Sequence, residues 1–154
     1  MAMYEVGDYI ICRNGGVWRI SQTDSNGSTI VEHESGMIKI ISADSDEIVR
    51  KIVSKETILE IVDRVGYIRT IQAPNDKTRK EFYDEAMAKY NEIDWIKVIK
   101  TIYLRQKEKK LMPYEVTYYE KARGYLHSEI SVLLEMPVNK VEDYIAAAVS
   151  NDSW

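Results

Sequence analysis

The apolar pattern of this 154-residue chain changes near residue 53. Before that point Val6, Tyr9 and Ile11 alternate roughly with polar neighbours, as in strands that bury one face. After it Ile58 and Val62 recur at helical spacing. Strands in one part of a chain and helices in the next predict an α+β protein, with a small antiparallel β-module followed by a helical bundle.

Turn signals divide the first part of the chain into five predicted strands. Asn26-Gly27 is a strong hairpin signal, and Gly15-Gly16 and Ser35-Gly36 mark two further turns. The predicted strands lie at about residues 4–11, 17–21, 29–33, 37–41 and 47–50. Five short strands so close together favour a strongly bent antiparallel sheet or a small barrel.

Capping residues set the limits of the predicted helices. The signals are Ser54 as an N-cap, Gly66 as a stop, Asp76 and Asp94 as N-caps, Pro113 in a first turn, and Asn139 with Glu142 as a capping box. Trp95 begins an apolar stripe with Val98 and Ile102. Gly124 lies inside a helical pattern, where glycine is unfavourable, so we expect a close helix crossing there.

Composition argues for binding rather than catalysis. The two histidines, His33 and His127, lie in different predicted modules, and Cys12 is the only cysteine, so neither a metal set nor a catalytic dyad can be drawn. We therefore expect no enzyme activity and no cofactor. The single cysteine fits a reducing cytoplasm, and the absence of a long apolar run predicts no membrane span. A net charge of −4 disfavours a strongly basic nucleic-acid binder but permits a local basic face.

The two ends of the chain resemble CarD-like transcription regulators. The C-terminal resemblance rests on WIKVIK at 95–100, MPYE at 112–115 and EMPVNKVEDYI at 135–145. YEVGDYII at 4–11 and GGVWRI at 15–20 resemble the family's opening strands. The resemblance implies a Tudor-like module at 1–52 that binds the β subunit of bacterial RNA polymerase. It also implies a helical domain at 53–154 that contacts promoter DNA and props open the transcription bubble.

The resemblance also suggests site residues. An edge strand containing Met37, Lys39, Ile40 and Ile41 would bind the polymerase β subunit, because an open edge offers unpaired backbone groups. Phosphate contacts would come from two basic segments of the helical domain. Their members are Lys77, Arg79, Lys80, Lys97, Lys100, Arg105 and Lys107. The alternative for these cations is a solvated helix face without a ligand.

Two departures from the family pattern bear on function. Ile41 stands where the family usually has a proline. Many members also carry a tryptophan that wedges into the minor groove. It lies shortly before a segment that corresponds here to RKEFY at 79–83. This chain has no tryptophan between Trp18 and Trp95. We therefore expect weak, non-specific, salt-dependent DNA binding and little bubble stabilisation. We also expect the protein to be a monomer. The alternatives are a polymerase-docking paralogue without DNA wedging and an unrelated helical adaptor.

Overall fold

The computed structural model describes residues 4–13 and 15–148. It divides into two compact units, residues 1–53 and 54–154. The described residues form five strands in the first unit and five α-helices in the second, which confirms the α+β class. Two short 3-10 helices, Val65–Tyr67 and Val138–Lys140, interrupt the helical unit.

The first unit is a five-stranded antiparallel sheet in the order β4-β3-β2-β1-β5. The strands are β1 Tyr9–Cys12, β2 Gly16–Thr23, β3 Thr29–Glu32, β4 Ile38–Ile41 and β5 Ile48–Lys51. One face carries a buried core that comprises Ile10, Cys12, Trp18, Ile20, Val31 and Ile41. Cys12 is therefore a packed core residue, and burial raises the pKa of its thiol to about 11.

The sheet does not close into the barrel that the sequence suggested. Among the described residues, β4 and β5 remain the two edges of the sheet. The segment between them turns back on itself, with the Ser45 N–H donating to the Ser42 carbonyl at 3.1 Å. Side chains rather than a backbone ladder span the gap, because the Lys39 ammonium on β4 forms an ion pair with Glu47 just before β5.

The second unit contains α1 Lys55–Asp63, α2 Asp76–Ala88, α3 Glu92–Lys107, α4 Pro113–Leu133 and α5 Val141–Ala148. The predicted apolar stripe of α3 is buried, with Trp95 and Val98 fully enclosed. Ser54 caps α1 by accepting from the Thr57 N–H, as expected, and Pro113 opens α4.

Several helix limits differ from the prediction. Asn75 and Asn91 cap α2 and α3, one and three residues before the predicted Asp76 and Asp94, because their side chains reach the third helical N–H. Helix α1 ends at Asp63, and Gly66 lies in the following 3-10 turn. The predicted capping box at Asn139 was wrong. The Lys140 N–H donates to the Pro137 carbonyl, so Asn139 lies inside a 3-10 helix and does not cap α5.

The expected close helix crossing at Gly124 was also wrong. The glycine is exposed in α4, and a Cβ built on it would meet no atom of the described residues within 4 Å. No steric reason for glycine follows from this part of the structure.

Candidate functional site

The open edge of the sheet carries an apolar surface, the β4 edge surface, formed by Met37, Ile38 and Ile40. Their exposed fractions are 64%, 63% and 71%. Large aliphatic side chains so exposed in one short stretch are unusual on a folded unit and are typical of interaction surfaces. Sequence reasoning included Met37 and Ile40 but missed Ile38, although its spacing of two from Ile40 already placed both on one face.

The backbone of the same strand is oriented to accept a partner strand. The His33 N–H donates to the Met37 carbonyl at 2.8 Å, and Val31 faces Lys39 in the register. In an antiparallel ladder hydrogen-bonded pairs recur at every second residue, so 37, 39 and 41 are turned towards β3. The N–H and C=O groups of Ile38 and Ile40 therefore point to the open edge.

Lys39 and Ile41 lie on the inner face of this strand. Ile41 is a core residue, and the Lys39 ammonium lies 4.4 Å from the centre of the Trp18 ring besides pairing with Glu47. Trp18 in turn donates its indole N–H to the Gly15 carbonyl at 2.6 Å. These contacts hold β4 in position from the inner face, and the outer face is formed by Ile38 and Ile40.

The two predicted basic segments meet at one end of the α2–α3 hairpin. Asp76 in the first turn of α2 is 2.6 Å from the Arg79 guanidinium and 3.9 Å from that of Arg105 in the last turn of α3. The structure brings parts of the two predicted segments together, and their arginines already have carboxylate partners.

Arg105 belongs to a buried network. Its Nε donates to both carboxylate oxygens of Glu115, at 3.0 and 2.8 Å, and Glu115 is fully buried. Glu115 also accepts from the Tyr83 hydroxyl at 2.7 Å and from the Met112 N–H at 2.9 Å. Burial raises the pKa of Glu115, but these donors outweigh burial and hold the net pKa below its ordinary value.

Lys100 is buried and holds the chain between α1 and α2. Its ammonium donates to the carbonyls of Val65 at 2.8 Å and Ile68 at 2.6 Å, and only 8% of the residue is exposed. Burial lowers the pKa of this lysine. In this conformation Lys100 has its ammonium turned inward and not towards a phosphate.

The remaining predicted cations differ in accessibility. Lys77, Lys80 and Lys107 are exposed, and Lys107 lies 5.4 Å from the Tyr103 ring. Lys97 is half-buried and lines a groove with Arg69. Side chains on a solvated face are free to meet phosphates without any preorganised contact.

The histidine of the helical unit is packed inside it. His127 is buried and 4.0 Å from Glu142, and burial lowers its pKa. Residues 4–13 and 15–148 contain no group of three or more His, Cys, Asp or Glu side chains arranged to hold a metal ion. No helix in that part of the chain is long and apolar enough to cross a membrane.

A comparison with known protein families found a match that lies within the helical unit. Residues 62–146, more than half of the chain, match the family described as CarD, C-terminal domain. The chain therefore belongs to the CarD-like family of transcription-related proteins, and the resemblance seen in its sequence is confirmed. A search of curated proteins found no match.

Proposed function

We propose that this chain is a non-enzymatic transcription regulator that docks on the β subunit of bacterial RNA polymerase. Its first unit would act as an open Tudor-like module and its second as a helical bundle, in a protein that works in the cytoplasm as a monomer. Membership of a transcription-related family supports this assignment, as does the β4 edge surface.

The single observation that carries the docking proposal is that β4 is an open edge strand with exposed aliphatic side chains. An edge strand with outward-pointing backbone groups can pair with a strand of another protein, and adjacent aliphatic side chains add apolar burial. Ile38 and Ile40 supply both features. In this proposal Met37, Ile38 and Ile40 contact the polymerase, whereas Lys39 and Ile41 set the strand's position from the inner face.

DNA contact is the weaker part of the proposal. Lys77, Lys80, Lys97 and Lys107 would meet backbone phosphates without reading bases, so binding would be non-specific and sensitive to salt. Lys100 would support the surface indirectly, because its ammonium is bound to carbonyl groups inside the unit. Without an aromatic wedge near Arg79, stabilisation of an open promoter would be small.

A second candidate is a polymerase-docking paralogue that does not contact DNA at all. The internal pairing of Arg79 and Arg105 and the burial of Lys100 favour it. DNA titration at low and moderate salt separates the two candidates, because only the first predicts affinity that falls with rising salt.

The docking proposal is tested by surface plasmon resonance of the full chain on immobilised RNA polymerase β subunit. We expect Ile40→Asp to weaken binding roughly tenfold or more, because a charge replaces an apolar contact near the centre of the surface. Val6→Asp is the matched control, since Val6 is similarly exposed at 58% in the same unit but lies outside β4. Equal affinities for wild type and Ile40→Asp, or no affinity of the wild type, would reject the proposal.

A further inference from the structure

A single carboxylate joins the arginines at the end of the α2–α3 hairpin. Asp76 Oδ1 accepts from Arg79 Nη1 at 2.6 Å and from the Tyr114 hydroxyl at 2.9 Å. Arg105 Nη2 is 3.9 Å from the same oxygen. Two guanidinium groups and a hydroxyl thus converge on one anionic oxygen contributed by the protein itself.

These donors are the ones that proteins use for phosphate oxygens. Guanidinium groups are suited to phosphates because they present planar, charged donors, and hydroxyls add a neutral bond. Arg79 and Arg105 are fixed by other contacts, since Arg79 also donates to the Ala73 carbonyl and Arg105 to Glu115. The pair is therefore held in place and does not depend on Asp76 alone.

The surroundings leave room for an anion. Arg79 and Arg105 line a polar groove of about 210 Å³ together with Thr70, Gln72 and the ion pair of Lys110 with Glu108. The two arginine side chains are only 12% and 14% exposed, whereas that of Asp76 is 51% exposed. The two arginines thus border an open groove, and the exposed Asp76 carboxylate, which does not line that groove, pairs with them.

We propose that Arg79, Arg105 and Tyr114 form an anion site for one backbone phosphate of a nucleic acid, and that Asp76 occupies this site in the unbound protein. Asp76 is then an internal competitor that sets how strongly the helical unit binds DNA. The inference rests on the proposed DNA contact and identifies the group that limits it. Exposed Lys77 and Lys80 on the same helical end would meet the neighbouring phosphates.

The test compares Asp76→Asn with Asp84→Asn in the full chain, by fluorescence anisotropy of a labelled DNA duplex. Asp84 is a matched control, because it is exposed on the same helix and accepts a tyrosine hydroxyl, that of Tyr118, at 2.5 Å. Both variants remove one negative charge, but the described residues place no arginine at Asp84. We expect Asp76→Asn to gain about tenfold in affinity over Asp84→Asn, the effect of one charge-assisted hydrogen bond.

The salt dependence and a double variant make the result specific. In Asp76→Asn the slope of log affinity against log salt concentration should become steeper by the amount expected for about one additional phosphate contact. Adding Arg79→Gln to Asp76→Asn should abolish the gain. Equal affinities of the two single variants, a gain that survives Arg79→Gln, or no detectable DNA binding by Asp76→Asn would each overturn the proposal.

A further titration separates DNA from free phosphate. We expect no saturable binding when inorganic phosphate is titrated calorimetrically into Asp76→Asn, because a single ion lacks the neighbouring contacts of a duplex. Saturable phosphate binding without a gain for DNA would assign the site to a free phosphate and overturn the nucleic-acid assignment. Circular dichroism confirms that the variants are folded, and since polymerase is absent, the outcome is independent of β-subunit docking.

Discussion

The β4 edge surface and the basic end of the α2–α3 hairpin differ in how far their chemical groups are already satisfied. Ile38 and Ile40 expose apolar side chains and direct backbone groups outward, whereas Arg79 and Arg105 are paired with Asp76 and Glu115. The comparison teaches that a cluster of charges in a sequence does not define a binding surface. What matters is which groups retain unmet contacts after the chain has folded.

The largest effect that we expect concerns the internal role of Arg105. Glu115→Ala leaves a mostly buried guanidinium without its partner, so we expect the helical unit to lose about 3–5 kcal/mol of unfolding free energy. Urea denaturation followed by circular dichroism at the helix signal measures this loss. A loss below about 1 kcal/mol, as for an exposed ion pair, would mean that Glu115 does not fix the position of Arg105.

Acid should weaken the same network to a smaller extent, because protonated Glu115 keeps its shape and some of its hydrogen bonds. The folded-state pKa of Glu115 lies below the ordinary value of 4.5, so its contribution to stability is complete above that pH. The contribution is lost as the pH falls through the lowered folded-state pKa. The urea midpoint should therefore fall more steeply with acid in the wild type than in Glu115→Gln, and equal slopes would contradict this.

In the sheet, two variants of Lys39 distinguish a structural role of this residue inside the unit from direct contact with the polymerase. Lys39→Glu places two carboxylates together and removes the cation from Trp18, which we expect to destabilise the first unit by about 1–2 kcal/mol. Lys39→Met keeps the aliphatic stem and should retain polymerase affinity within about twofold, since Ile38 and Ile40 point to the opposite face of the strand. If Lys39→Met loses affinity as Ile40→Asp does, then Lys39 contacts the polymerase and its internal pairing is secondary.

The smallest effect concerns a position that belongs to neither surface. Gly124→Ala should stabilise the helical unit by about 1 kcal/mol, because alanine is a better helix former and the added Cβ meets no described atom. Thermal unfolding provides the measurement. A loss of stability would show that Gly124 does lie at a close contact.

The sequence predicted the fold class well because periodicity and turn chemistry are local. The five strands, the cap at Ser54 and the buried stripe of Trp95 all follow from such signals. It failed where local signals compete, as when Asn75 and Asn91 cap helices in place of nearby aspartates.

The basic end of the α2–α3 hairpin was harder to predict, because the accessibility of its cations depends on contacts with residues far away in the sequence. No local sequence pattern indicates that Lys100 donates to the carbonyls of Val65 and Ile68, or that Glu115 pairs with Arg105. The one recoverable signal was the spacing of three between Asp76 and Arg79 on a helix, which predicts an ion pair.

Hydrogen–deuterium exchange of the full chain, alone and bound to RNA polymerase β subunit, tests the central claim most directly. If β4 pairs with a strand of the polymerase, the amides of Ile38 and Ile40 gain protection because they point to the open edge. Amides of the basic end, at 76–80 and 103–110, should exchange at the same rate in both samples. Protection confined to the basic end, with unchanged exchange at 37–41, would contradict the account.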